Sequence, residues 1–277
     1  MRCPDRGARL GSGLRSEAPV FHDAIIESVL GSARRSTLPY QQAHRGEDFG
    51  TAFWFNDLVD KQRDTETVRQ YLVTAGAMTR YDIAEVRLRP ELSESAMSAH
   101  AIAMIKFEQE WTPLGDSGVA VMPTGGLHAL ARRKRWEWAT DEITDGLAAT
   151  PEDVAAVGAE PVPAYVLGHD VGPDRTDRPQ AVVVGNVVRG ADDGRVWWND
   201  TVPVGCVGAP VFVGVPLGDQ RFKLVCLGVV LPAVGSRHPV ATFDRIRSAV
   251  RELPDPSSST ASDTPATTPR RWWRRAR

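Results

Sequence analysis

The sequence predicts an all-β fold: two small antiparallel β-barrels in tandem, of about six strands each, closed by a C-terminal helix. Three observations predict it. From residue 50 on, short β-rich runs follow one another at 50–56, 71–75, 83–88, 101–107 and 118–122, divided by turn residues such as Asn56-Asp57, Arg89-Pro90 and Pro123-Thr124-Gly125-Gly126. A second series follows at 162–168, 181–188, 195–199, 209–213 and 223–230. Finally, residues 242–253 place Phe243, Ile246, Val250 and Leu253 on one helical face, with Thr242 positioned to cap the first turn.

The elements divide the chain into four parts. Residues 1–19 are polar, rich in Gly and Arg and aperiodic, and are expected to be a flexible basic arm. Residues 20–128 carry a short helix at 20–30, with Phe21, Ile25, Val29 and Leu30 near one face, and then the first barrel. Residues 129–253 hold an irregular segment, the second barrel and the closing helix. Within that segment Thr150-Pro151-Glu152-Asp153 reads as a helix start: a threonine cap, proline at the first helical position and acids in the first turn. Residues 254–277 open with a Ser/Thr/Pro-rich stretch to Pro269 that has no core-forming residues and is expected to be disordered.

Composition narrows the function classes. The 277 residues are 42% hydrophobic and 25% charged, enough for a sizeable core. The net charge of −2 hides a division. Residues 270–277 hold five arginines and no acid, so the rest of the chain stands at −7. The first twenty residues carry four arginines against Asp5 and Glu17, which leaves −9 on residues 21–269. An acidic domain therefore carries two basic ends, and binding to nucleic acid or a membrane has to be argued from those ends. Three cysteines, Cys3, Cys206 and Cys226, are too few and too scattered for a disulfide framework or a zinc ribbon. Nothing resembles a secretory signal or a membrane span, so a cytoplasmic, reducing location is expected. Four lysines against 29 arginines suggest a GC-rich bacterial genome. No side-chain set has metal-ligand spacing and no Gly-rich phosphate loop joins a strand to a helix, so no cofactor is expected.

Several runs resemble the trypsin-like serine peptidases. Gly205-Cys206-Val207-Gly208-Ala209-Pro210-Val211 resembles the nucleophile loop, and Gly228-Val229-Val230 the strand after it. Gly50-Thr51-Ala52-Phe53 resembles an early strand of the first barrel. Tyr71-Leu72-Val73-Thr74-Ala75-Gly76-Ala77-Met78 resembles the run into the catalytic histidine, and Gly118-Val119-Ala120-Val121-Met122 the segment that carries the aspartate. Val166-Leu167-Gly168 resembles a strand of the second barrel. The resemblance spans residues 50–253 in the family's order, and it implies the two-barrel fold.

It also implies where the catalytic triad would lie, and there the sequence departs from the family. The serine position is Val207, the histidine position Ala77 and the aspartate position Gly118. Acyl transfer by this mechanism needs a hydroxyl to attack, an imidazole to take its proton and a carboxylate to orient the imidazole. Valine, alanine and glycine supply none of these. The family's oxyanion hole is made of backbone N–H groups, which here would be those of Gly205 and Val207. The base of the specificity pocket would fall near Asp200 and Thr201.

Other residues compete for a role. Gly115-Asp116-Ser117-Gly118 spells the family's nucleophile motif, but it lies too early in the chain and lacks the Gly-Pro-Val continuation, so Ser117 reads as part of a polar turn. Cys206 is a candidate thiol nucleophile with no histidine placed beside it, and Cys226 alternates into an apolar strand. His169-Asp170 would be a dyad at a strand end, but the following Gly172-Pro173-Asp174-Arg175 marks it as loop. Trp197 and Trp198 should face opposite sides of a strand. The tail Arg270-Arg271-Trp272-Trp273-Arg274-Arg275-Ala276-Arg277 interleaves arginine with tryptophan, a pattern suited to an acidic partner, a membrane surface or nucleic acid.

The expected function is therefore a catalytically inactive homologue that binds a peptide or protein partner through the remnant cleft. Two alternatives stand beside it: an active serine-type endopeptidase with a triad elsewhere, and an electrostatic adaptor working through the Arg/Trp tail.

Overall fold

The computed structural model describes residues 18–44, 47–62, 65–175, 177–191, 193–218, 221–254 and 273–274. Residues 1–17 of the expected arm (1–19), and residues 255–272 and 275–277 of the expected linker and Arg/Trp tip (254–277), lie outside these residues; residues 18 and 19, expected in the arm, instead begin a helix. The chain is mostly β, in two bodies.

The first body is one sheet. Its strands are β1 (Thr37–Gln42), β2 (Phe49–Gln62), β3 (Thr65–Ala75), β4 (Ile83–Arg87), β5 (Ala101–Ile105), β6 (Thr112–Pro113) and β7 (Val119–Pro123). With β14 (Trp273–Arg274) the order is β14-β5-β4-β1-β2-β3-β7-β6. All pairings are antiparallel, with Phe53 opposite Val73 and Val73 opposite Val121. This sheet does not close, and the expected first barrel is corrected to a half-barrel. Two features explain the open side. The strand β6 is two residues long and ends in a proline, which has no N–H to extend a ladder. Helix α3 (Gly125–Lys134) then buries Leu127, Leu130 and Ala131 in the core of this sheet, beside Trp54, Phe107 and Trp111.

The second body is a closed barrel of β8 (Val162–His169), β9 (Gln180–Arg189), β10 (Val196–Trp198), β11 (Pro210–Gly218), β12 (Arg221–Val230) and β13 (His238–Thr242), in the order β10-β13-β12-β11-β8-β9. Its strands are rich in Val and nearly continuous in burial, as a filled barrel requires. Helix α5 (Phe243–Arg251) closes the chain, with Phe243, Ile246 and Val250 buried. Phe243 meets Phe53 and Phe55 of β2, so this helix joins the two bodies. Two short helices, α2 (Phe107–Glu110) and α4 (Pro151–Ala155), complete the set. The expected start at Thr150 is present: its hydroxyl accepts from the Asp153 N–H, and the Asp153 carboxylate accepts from the Thr150 N–H.

Helix α1 (Ala18–Ala33) is longer than expected and sits on the second barrel, not the first. Tyr165 of β8 bonds His22, Phe21 meets Phe222 edge-on, and Ile25 packs against Gly214, where a Cβ would lie 2.5 Å from Ile25 Cδ1. The sequence reading also missed β1, β13, α3 and the lower half of the β2–β3 hairpin. Trp198 is fully buried, while Trp197 is half-buried under the Arg237 guanidinium, as strand alternation requires.

Candidate functional site

The segments around Ala77, Gly118 and Val207 meet where the two bodies join. The Gly76 N–H donates to the Gly118 carbonyl at 2.8 Å, which ties the turn after β3 to the turn before β7. The Thr51 N–H donates to the Val207 carbonyl at 2.9 Å, and its hydroxyl to the Gly205 carbonyl at 2.7 Å. Gly208 has φ +88°, and a Cβ there would lie 2.2 Å from Thr74 Oγ1 and 2.6 Å from the Thr51 carbonyl. Only glycine fits both the backbone angle and the approach. The loop at 205–208 is thus tied to β2 by hydrogen bonds from Thr51 and lies close against β3 at Gly208.

Among the described residues, the positions Ala77, Gly118 and Val207 place no hydroxyl, imidazole or carboxylate at this junction. Thr74 donates to the Thr51 carbonyl at 2.8 Å, and its oxygen lies 2.9 Å from the Tyr40 hydroxyl, so the buried hydroxyls satisfy one another. Ala77 is exposed and Val207 is 8% exposed. Gly118 has φ +77°, and Leu231 closes over it: a Cβ at 118 would lie 2.9 Å from Leu231 Cδ1. The oxyanion hole is expected from the Gly205 and Val207 N–H groups. Residues Val204–Cys206 form a turn of 3₁₀ helix, and the Val207 N–H donates back into it, to the Val204 carbonyl at 3.3 Å. One of the two expected donors is already engaged and is not aimed at a ligand oxygen.

The competing candidates are also placed. Ser117 is in a 3₁₀ turn, and its oxygen accepts from the Val119 N–H at 3.2 Å. It lines a cavity of about 190 Å³ with Asp116, Gly118, Leu231 and Asp244. Cys206 is fully buried, and burial pushes its thiol up to about 12, which suppresses the thiolate a nucleophile needs. Cys226 is buried in β12, and burial raises its thiol further. Asp200 is exposed and accepts from the Asn186 N–H at 2.9 Å; Thr201 beside it is exposed as well. His169, expected at a strand end, is the last residue of β8 and is fully buried.

His169 belongs to a network that sequence reasoning missed. Its Nε2 is 3.0 Å from the Thr37 hydroxyl, and its Nδ1 is 3.1 Å from the Arg178 carbonyl. The Gln180 amide donates to Thr37 Oγ1 at 2.9 Å. The buried Arg89 guanidinium donates to Gln180 Oε1 at 3.1 Å and to the Arg34 carbonyl at 2.6 Å. Arg178 lies over the Phe49 ring at 4.3 Å. The partners come from β1, the turn before Pro90, β8 and β9, so the network bolts the half-barrel to the barrel. Among the described residues, Thr37–His169 is the one pair of aliphatic hydroxyl and imidazole within hydrogen-bond reach. Burial, and then the nearby Arg89 charge, push His169 down to about 3, so it is a weak base sealed from solvent. The other half of the signal, a carboxylate to orient the imidazole, is replaced by a carbonyl. Nothing in the sequence could have shown this set, because its members are dispersed from Arg34 to Gln180. Among the described residues no cluster of His, Cys, Asp or Glu could hold a metal ion, and no helix is long and apolar enough to cross a membrane.

No family model matches the chain, and no curated protein matches it. Solved structures do. The chain is similar to a serine endoprotease from Yersinia pestis at 7% identity and a TM-score of 0.48, covering 82% of this chain and 66% of that one, just under two thirds of its length. It is similar to a human pathogenic astrovirus serine protease at 12% identity and a TM-score of 0.41, covering 76% of this chain and 90% of the other. A thermostable serine protease from an extremophilic microorganism shares 10% identity at a TM-score of 0.45, with 78% and 94% covered.

Proposed function

We propose that this chain is a non-hydrolytic relative of the trypsin-like peptidases that binds a peptide or protein partner where its two bodies meet. One observation carries the reading. The turns holding Ala77, Gly118 and Val207 are tied to the junction by hydrogen bonds, yet that junction offers neither nucleophile nor base, and the Val207 N–H is spent in a turn. Hydrolysis through this site would lack its attacking group, its proton acceptor and half of its oxyanion stabilisation. Binding needs none of them. Val204, 58% exposed beside the 205–208 loop, and the exposed Ala77 leave apolar surface for an extended peptide.

The test is reaction of the full chain with a fluorophosphonate probe, which phosphonylates activated serines with loss of fluoride. No serine is expected to be labelled, and the Ser117→Ala variant should behave as the parent. Labelling of any serine, Ser117 included, overturns the proposal and favours a peptidase with a triad elsewhere.

A further inference from the structure

Residues 21–269 stand at −9, yet one groove on this acidic domain carries an excess of arginine. It lies between the end of α1, the turn at Pro90 and the start of β9, and it shares Arg89 and Gln180 with the His169 network. Its volume is about 830 Å³, and its walls include Leu30, Arg34, Arg89, Pro90, Arg178 and Pro179. A second cavity of about 310 Å³ adjoins it through Leu30, Gly31, Arg34 and Glu91, and adds Arg35 and Asp141. Four arginines thus face two acids. Two of the four have their donors engaged. Arg35 pairs with Asp141 at 2.9 Å. Arg178 donates to the Asp177 carbonyl at 2.7 Å and to Gln41, and lies over Phe49. The other two are left with uncompensated charge. Arg34 is exposed, and its guanidinium has no hydrogen bond or ion pair among the described residues. Arg89 is buried, and its close partners, the Arg34 carbonyl and the Gln180 amide oxygen, are neutral. The exposed Glu91 carboxylate stays 3.8 Å from its Nε. Burial, and the like charge of Arg34, draw the Arg89 guanidinium below its ordinary value.

We propose that this groove binds an acidic peptide segment of a partner protein, with one carboxylate on the Arg34 fork and another in the field of Arg89. A guanidinium takes a carboxylate through two parallel N–H groups. The Pro90 and Pro179 rings and the Leu30 side chain give apolar walls for the chain between the acids. A phosphate is less well served. Phosphate sites draw on backbone N–H groups, as at a helix N-terminus, whereas the two prolines have none and α1 ends here on its carbonyls. The Arg34 carbonyl is itself covered, by Arg89 at 2.6 Å and the Gln180 amide at 2.9 Å, so it does not repel an incoming carboxylate. The groove shares no lining residue with the turns holding Ala77, Gly118 and Val207, so the proposal is independent of the reading of that junction.

The test is fluorescence anisotropy of a labelled peptide that alternates glutamate with alanine, and of its glutamine counterpart, each mixed with the full chain. Only the glutamate peptide is expected to bind, and more weakly in high salt. Arg34→Gln should weaken binding by about ten-fold, the usual loss for one charge-assisted bond. Gly31→Glu should abolish it: position 31 has open space for a side chain, and the new carboxylate would lie within reach of Arg34 and Arg35. Glu91→Gln should instead tighten binding by about two- to five-fold, because it removes the acid beside Arg89. Arg245→Gln, at an exposed position on α5, should leave it unchanged. The proposal fails if the glutamate peptide is not bound, if the glutamine peptide is bound equally, or if Arg34→Gln or Gly31→Glu binds as the parent. It also fails if Glu91→Gln weakens binding, or if inorganic phosphate displaces the peptide where chloride at the same ionic strength does not. Matching far-UV circular dichroism of each variant ties any loss to the groove rather than to misfolding.

Discussion

At the residue scale, His169 is the group whose chemistry most depends on the fold. An unfolded histidine takes its proton near pH 6.5, whereas this one stays neutral down to about 3. Between those values the unfolded state binds more protons than the folded one. Stability therefore falls as the pH drops from about 6.5 toward 3, at up to about 1.4 kcal/mol per pH unit, and the contribution is flat above 6.5. Urea unfolding at stepped pH should show a shallower acid slope in His169→Gln than in the parent. The two described cysteines, Cys206 and Cys226, make the opposite point. Both thiols are buried and held protonated, so a maleimide reagent needs unfolding to reach them.

At the element scale, α1 does what the N-terminal position in the sequence does not suggest. Its Ile25 fills the space that Gly214 leaves on β11, and Val29 and Ala33 are fully buried in the same core. Ile25→Ala should cost about 2–4 kcal/mol in equilibrium denaturation, the usual loss for a buried large-to-small change. The helix was legible in the spacing of Phe21, Ile25 and Val29, but its docking partner was not, because periodicity names the apolar face and not the surface it meets. The same limit explains the other differences. Thr150-Pro151-Glu152-Asp153 was legible because a capping box is local. The strand β1 was missed because Thr37-Leu38-Pro39-Tyr40 carries a proline and little alternation. Helix α3 was missed because Gly125-Gly126 reads as a turn and because its basic last turn masks a stripe of three buried residues. At the junction, residue identities were legible by position along the chain. The direction of the Val207 N–H was not, because it is set by a turn of 3₁₀ helix that no side chain announces.

At the scale of the whole molecule, two bodies are held by different means. Phe243 of α5 against Phe53 and Phe55 gives an apolar contact. The network of Thr37, Arg89, His169 and Gln180 gives a polar one, in which Arg89 is the hub. Removing the guanidinium leaves the Arg34 carbonyl and the Gln180 amide oxygen short of a donor in a part-buried setting. Arg89→Ala should therefore lose about 2–4 kcal/mol. It should also make tryptophan fluorescence and far-UV circular dichroism report different midpoints, because most of the described tryptophans lie in or against the half-barrel. Coincident midpoints would mean that the apolar contact alone couples the bodies.

Leu231 closing over Gly118 has a consequence for any route from this molecule to a hydrolase. An aspartate at 118 would have to adopt a backbone angle that suits glycine while displacing a leucine methyl group. The leucine can give way by turning the end of its side chain, so the backbone angle is the larger obstacle. On the proposed reading, no single substitution at Ala77, Gly118 or Val207 should confer hydrolysis, because the reaction needs three groups at once.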